Sequence, residues 1–292
     1  MVKPLFWSKE FCQLHSDVNR ILEISVNIDT KVSIPYKIMD KKFKSPGIGT
    51  FGGFYGENDP TNWIEIWSKL VEVSNEIDLF EISFPPKYFE IQKFEAQIQA
   101  SIELFNPKCV VELNQHVILD SDATESLSKG NRKKYRQFCE ASGTVKRGKI
   151  EDLVKVVALL QESRKNLGVD LSMSYVQILE AFTKLPEIYR CYLAEIDSEI
   201  VAAAIVVEIS KESLYVLYWG DTPGYWRKTS PVVAIFIEVY KDAHQEGFKY
   251  LDLGISSVDG EVNPGLTRFK RNLGCIESEK IKILFYNPDN RA

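Results

Sequence analysis

Two short segments combine residue types that bind phosphate and move protons. The first, Gly220 to Val233 (GDTPGYWRKTSPVV), runs from a strand end through a glycine turn and two cations into a helix start. Ser230 is placed to cap that helix, and Pro231 suits its first position, where a missing N–H costs nothing. Backbone N–H groups at Thr229, Val232 and Val233 would then face an anion at the positive end of the helix dipole, with Arg227 and Lys228 adding full charges. That is a phosphate cradle. The plainer alternative is a strand-to-helix loop with solvated cations, because neither P-loop nor Rossmann spacing is present. The second segment, Tyr250 to Gly274, ends a short strand at Asp252-Leu253-Gly254 and leads into a basic helix holding Arg268 and Lys270. An aspartate in that place either accepts a proton or caps the following loop.

Other chemistries have less support. His15, His116 and His244 fall in three separate elements without ligand spacing, so neither a metal nor a His-centred triad is expected. The five cysteines are odd in number and never form a C-x-x-C pair, which points to reduced thiols and a cytoplasmic protein. Thirty-six basic against 41 acidic residues give a net charge of −5, so any nucleic-acid site must be a local patch. One such patch exists: eight basic residues and one acid, Glu140, lie between Lys129 and Lys149. No apolar run is long enough to span a bilayer, and the first residues lack the apolar stretch of a signal peptide, so no membrane insertion is expected.

The elements that must position these residues follow from the hydrophobic periods. Tyr189 to Ile196, Ile200 to Ile209 and Leu214 to Gly220 read as three strands. The period then changes: Val232, Ile235, Phe236, Val239, Tyr240 and Ala243 fall on one face of a helix that stops at Gly247. A strand at Tyr250 to Leu253, a helix LTRFKRNL and a strand at Ile281 to Tyr286 complete this half. The N-terminal half has a looser version of the same order. Ile21 to Ile28 and Lys31 to Met39 form a hairpin, and a glycine loop, FGGFYG, precedes a helix through Trp63, Ile66, Trp67, Leu70 and Val71, capped by Thr61. Leu79 to Phe84 is the next strand, a helix follows at Tyr88 to Phe105, and Cys109 to Leu113 pairs with Val117 to Leu119. The polar stretch SDATESLS marks a boundary near residue 125, giving domains 1–125 and 126–292, about the number that 292 residues suggest. The fold class is α/β with a mixed sheet.

The run containing Asp252, Gly254, Gly265, Leu266, Phe269, Lys270 and Gly274 resembles the C-terminal signature of the Fem family of peptidoglycan-bridge transferases and their FemAB-like acyltransferase relatives. GNRKKYRQFCEASG is similar to the basic helix that opens their second domain, and SPGIGTFGGFYG to the glycine stretch of the first. The resemblance implies two tandem GNAT-like domains, with an acyl-donor slot in the C-terminal one. It also implies acyl transfer to an amine by direct attack, without a covalent enzyme intermediate. Acyl-CoA, acetyl-CoA first, is then the co-substrate, and no metal is needed. Arg227, Lys228, Thr229, Ser230 and Val232 would hold it, although no glycine follows the cations as it does in an ordinary acetyltransferase loop. Asp252 and Asp221 are candidate bases, and Tyr218 or Tyr225 a donor to the oxyanion or leaving thiolate. Arg268 and Lys270 would contact phosphate, and Tyr36, Phe54, Tyr55 and Trp219 would line the acceptor cleft. The acceptor class implied is a small molecule or a glycan or peptide precursor of the cell surface. Two alternatives stay open: a peptide ligase using aminoacyl-tRNA bound at the 129–149 patch, and a non-catalytic binding module on the same fold.

Overall fold

The computed structural model describes residues 3–15, 19–25, 31–56, 62–89, 91–224 and 228–288. The N-terminal half contains α1 (Lys9–Leu14), β1 (Arg20–Ser25), β2 (Lys31–Met39), β3 (Lys42–Ser45), β4 (Tyr55–Gly56), α2 (Trp63–Glu72), β5 (Leu79–Pro86), α3 (Ile91–Phe105) and β6 (Lys108–Ile118). Then follow α4 (Lys129–Glu140), β7 (Thr144–Arg147), α5 (Leu153–Lys165), α6 (Tyr175–Lys184), β8 (Tyr189–Ile196), β9 (Glu199–Ser210) and β10 (Ser213–Asp221). The chain closes with α7 (Pro231–Gln245), β11 (Tyr250–Ile255), β12 (Ser257–Val258), β13 (Glu261–Val262), α8 (Pro264–Arg271) and β14 (Ile276–Tyr286).

These elements form two compact units. The first gathers Met1–Asn114, Ile255–Val262 and Ser278–Ala292; the second gathers Gln115–Gly254 and Asn263–Glu277. In the first unit the strand order is β1-β2-β3-β5-β14-β6, with β4 on β2; in the second it is β6-β11-β10-β9-β8-β7. The repeat read from the sequence is present in both. β1, β2 and β3 pair antiparallel in succession, a helix crosses over, and β5 returns parallel to β3. β8, β9 and β10 do the same, and β11 returns parallel to β10 after α7. A parallel return needs such a crossover, which is why a helix separates the last two strands each time.

The residues account for the elements. β9 is buried almost throughout, as a strand covered on both faces must be, with α5 and α7 packed against it. The predicted apolar stripe of α7 is buried, and Gly247 at φ +84° closes the helix with N–H bonds to His244 O and, from Phe248, to Ala243 O. Trp67 of α2 lies at the centre of the first unit. Its Nε1–H donates to Gln97 O at 2.9 Å, and its ring meets Phe54, Phe105 and Phe285. Gln97 in turn bonds both backbone groups of Phe54, accepting from its N–H at 2.9 Å and donating to its carbonyl at 2.8 Å. The glycine loop is thereby tied into the core. A Cβ at Gly53, already at φ +92°, would come within 2.9 Å of the Phe84 ring.

Four expectations are corrected. β3 supplies a third strand between the hairpin and the glycine loop. The expected pair of strands over Cys109 to Leu119 is one strand, β6 (Lys108–Ile118), because Asn114, Gln115 and His116 between them are buried, and Gln115 donates to Thr267 O at 3.3 Å. α2 is capped by Asn62, whose side chain accepts from Glu65 N–H, whereas Thr61 lies outside the described residues. Ser230 does not cap α7 with its side chain; it sits at φ +40°, and its carbonyl accepts from Val233 N–H at 2.9 Å. Among the described residues no helix is long and apolar enough to cross a membrane.

Trp67→Ala should cost about 3–5 kcal/mol, since it opens a cavity and leaves the Gln97 carbonyl without its donor. Equilibrium urea unfolding measures this, and an unchanged midpoint would show that the aromatic cluster does not support the unit.

Candidate functional site

β10 and β11 are paired over a short stretch, from Ser213↔Tyr250 to Tyr215↔Asp252. Beyond it β10 runs on to Asp221 and β11 to Ile255, so the two strands part. At the point of parting β10 has a bulge: its register against β9 slips between Val216 and Tyr218. A bulge adds a residue to one strand and reverses which face the following side chains occupy. Before it, Leu214 and Val216 join the core built on α7; after it, Trp219 returns to that core. Tyr218 and Gly220 therefore turn toward α5, where a Cβ on Gly220 would come within 2.7 Å of Ser163 Cβ. Through the bulge, Tyr215 and Tyr218 share a face although they stand at i and i+3.

Asp252 belongs to the same face. Its neighbours Leu251 and Leu253 point into the α7 core, and its register partner is Tyr215. The buried Asp252 carboxylate accepts from Gly254 N–H at 2.7 Å. Gly254 adopts φ +78°, and a Cβ there would lie 2.9 Å from Tyr215 Oη, so only glycine fits. Lys270 reaches in from α8 and donates from Nζ to Gly254 O at 2.8 Å. The residue is 2% exposed. Burial pushes its amine down to about 8, against the opposing pull of Asp252 and Cys275. The Cys275 thiol is pushed up to about 12 by burial. His116, edge-on to Tyr250 with centroids 5.8 Å apart, is held below its ordinary range by burial while Asp252 works against that shift.

α8 presents Lys270 for simple reasons. Asn263 caps it by accepting from Leu266 N–H at 3.0 Å, Pro264 starts it, and Thr267 and Lys270, one turn apart, face inward. Arg268 is exposed, so it and Lys270 diverge. Tyr218 shares a hydrogen bond with the Ser172 hydroxyl, and burial raises its phenol. Asp221, raised by burial against the charge of Lys134, lies on the opposite face from Tyr218, with Trp219. The three candidate catalytic residues are thus divided: Tyr218 and Asp252 share one face of the sheet, and Asp221 lies on the other.

Of the donor loop, Arg227 lies outside the described residues, as do Tyr225 and Trp226. Lys228 is exposed, Thr229 half-buried, and Ser230 and Val232 buried. The phosphate cradle expected at the α7 start is altered, because Val233 N–H is already bonded to Ser230 O. Trp219 packs on Phe269 with ring centroids 5.6 Å apart, and Tyr36 stacks on Phe43 at 4.8 Å. Phe54 and Tyr55, expected to face an acceptor, are core residues of the first unit, set against Trp67 and Trp7. Sequence reasoning missed Tyr215, Arg164, Ser172 and His116, whose relevance depends on the parallel register and the bulge. On α4, Lys129, Arg132, Lys133 and Arg136 are all exposed and fall at i, i+3, i+4 and i+7, one continuous cationic stripe. Among the described residues no cluster of His, Cys, Asp and Glu could hold a metal.

Residues 128–271 match the family model described as an acetyltransferase (GNAT) domain. No curated protein sequence matches the chain. Among solved structures, FemX is similar at a TM-score of 0.69 and 13% identity, over 95% of this chain and 91% of its own. L-PGS from Bacillus licheniformis gives 0.64 and 11% identity over 97% and 93%. A tandem GNAT protein from the clavulanic acid biosynthesis pathway gives 0.54 and 9% over 92% and 84%. At these identities the likeness is one of fold.

Lys270 makes stability depend on pH. Its folded value, about 8, lies below the ordinary 10.5, so between these pH values the unfolded chain binds more protons and stability should rise with pH. The gain over a Lys270→Met variant should be on the order of 3 kcal/mol between pH 7.5 and 10.5. Urea unfolding of both proteins across that window measures it; parallel curves would mean that the amine titrates like an exposed lysine.

Proposed function

We propose that the chain is a FemAB-like transferase of the GNAT superfamily, a reading supported by the acetyltransferase (GNAT) domain match over residues 128–271 and by the fold shared with FemX and L-PGS, and that it moves an acyl group from acyl-CoA, acetyl-CoA first, to an amine of a cell-surface sugar or peptidoglycan-type precursor, in the cytoplasm. The parting of β10 from β11 beyond Tyr215 and Asp252 carries this reading, since it leaves a gap at strand ends beside a buried lysine, a buried carboxylate and two phenols. In this reading the repeats are 1–125 and 126–292, and the second handles the donor.

The thioester carbonyl enters the gap and the acceptor amine attacks it. A C–N bond forms, the C–S bond breaks, and the proton lost by the amine must go to a base. Lys270 suits that role: an amine near 8 is neutral in part at working pH, and Asp252 steadies the ammonium it becomes. Tyr218 keeps its proton because burial raises its phenol, so it can donate to the oxyanion or the departing thiolate. Lys228, exposed at the start of α7, supplies charge for the donor phosphates, with Arg227, Thr229, Ser230 and Val232 around it. The residues suit the donor's acyl end more closely than its pyrophosphate, because Ser230 O already takes Val233 N–H.

The α4 stripe favours a second reading, an aminoacyl-tRNA donor, in which an ester C–O bond breaks instead.

Under the first reading, CoA and acetyl-CoA should raise the melting temperature, and Lys228→Ala should abolish the shift. Lys270→Met should lower turnover by about 10²–10⁴-fold with the CoA response intact. If no CoA stabilises the protein, the second reading takes over: binding of charged tRNA should weaken steeply with salt, and removing Arg132, Lys133 and Arg136 should flatten that dependence.

A further inference from the structure

Arg164, near the end of α5, stands over the phenol ring of Tyr218, its guanidinium carbon 5.9 Å from the ring centroid. Its Nε is buried and has no hydrogen-bond partner, and among the described residues no carboxylate forms an ion pair with it. Arg190, the fully buried arginine of this unit, also has unpartnered guanidinium nitrogens and lies over a ring, that of Phe248, but unlike the partly buried Arg164 it has carboxylate partners. Arg190 lies 2.8 Å from Glu246 and 3.7 Å from Glu208, the arrangement expected where an arginine is structural. The groups placed near Arg164 include three neutral hydroxyls: Tyr218 Oη, the Ser172 hydroxyl bonded to it, and Tyr215 Oη. A guanidinium carries five N–H donors, and those not engaged by the protein fit an oxyanion. Asp252 and Lys270 occupy the same face, so a ligand held at Arg164 lies beside the proposed reacting centre.

We propose that Arg164, with Ser172 and Tyr218 fixing its surroundings, binds a carboxylate or phosphate oxyanion of the acceptor, which is therefore an amine that also carries negative charge. The word acceptor rests on the transferase reading above; the oxyanion site does not.

Side-chain 15N NMR tests this on the full chain. The Arg164 Nε–H signal is assigned by its loss in Arg164→Lys, or in Arg164→Gln if the first variant fails to fold. Sodium phosphate and sodium acetate are titrated against sodium chloride at matched ionic strength. We expect a saturable shift with phosphate or acetate and none with chloride, and the anion that saturates distinguishes a phosphate-bearing from a carboxylate-bearing acceptor. Ser172→Ala should weaken the midpoint about threefold to tenfold, the worth of one hydrogen bond. No saturable shift with either anion, or an equal shift with chloride, overturns the site. Stabilisation by CoA or charged tRNA, measured separately, reports on the transferase reading, so the two can fail independently.

Discussion

A lysine amine removed from water must be given partners or give up its proton, and Lys270 meets that constraint by donating to the Gly254 carbonyl. Much of the local structure depends on this bond. The carbonyl is aimed at α8 because Gly254 takes a left-handed conformation, and it can do so against Tyr215 Oη because it has no side chain. The Asp252 carboxylate holds the other side of the same peptide segment by accepting Gly254 N–H. One glycine thus links an acid on β11 to an amine on α8, and a lysine that would otherwise be a solvated surface charge becomes chemically adjustable.

The bulge at Val216 to Tyr218 supplies the rest of the arrangement. An unbroken strand would place Tyr215 and Tyr218 on opposite faces, one of them in the α7 core. With one extra residue, β10 keeps Leu214, Val216 and Trp219 in that core and still turns both phenols toward α5. The same slip coincides with the end of the β10–β11 pairing, so a single irregularity both orients the side chains and opens the strands.

Much of this fold was legible in the sequence because its signals are local. Pro231 and Gly247 bracket α7, the apolar run of β9 marks a doubly covered strand, and the order of elements appears twice. The misreadings concern residues whose environment is set by distant chain. Asn114, Gln115 and His116 divide the expected pair of strands, but partners such as Thr267 O satisfy them within a single one. Phe54 and Tyr55 follow two glycines and are expected to line an acceptor cleft, but Gln97, more than forty residues on, draws that backbone inward. Ser230 has the composition of a cap but not its backbone geometry, since it lies in the left-handed region. For the site, Asp252, Lys270 and Tyr218 could be named from the sequence, whereas Arg164 and Tyr215 could not: their position depends on a bulge that leaves no mark in residue type.

The composition of the first unit has a consequence for how the protein is made. β14 pairs with β5 there, Phe285 opposite Phe80, and the Phe285 ring also stacks on Phe105 with centroids 4.2 Å apart. Roughly 180 residues of intervening chain must leave the ribosome after Phe105 before that ring is available. Until then the nascent N-terminal half carries an incomplete aromatic seam and an unsatisfied edge on β5. That half is therefore not a finished domain until β14 has emerged, and the late strand acts as its keystone.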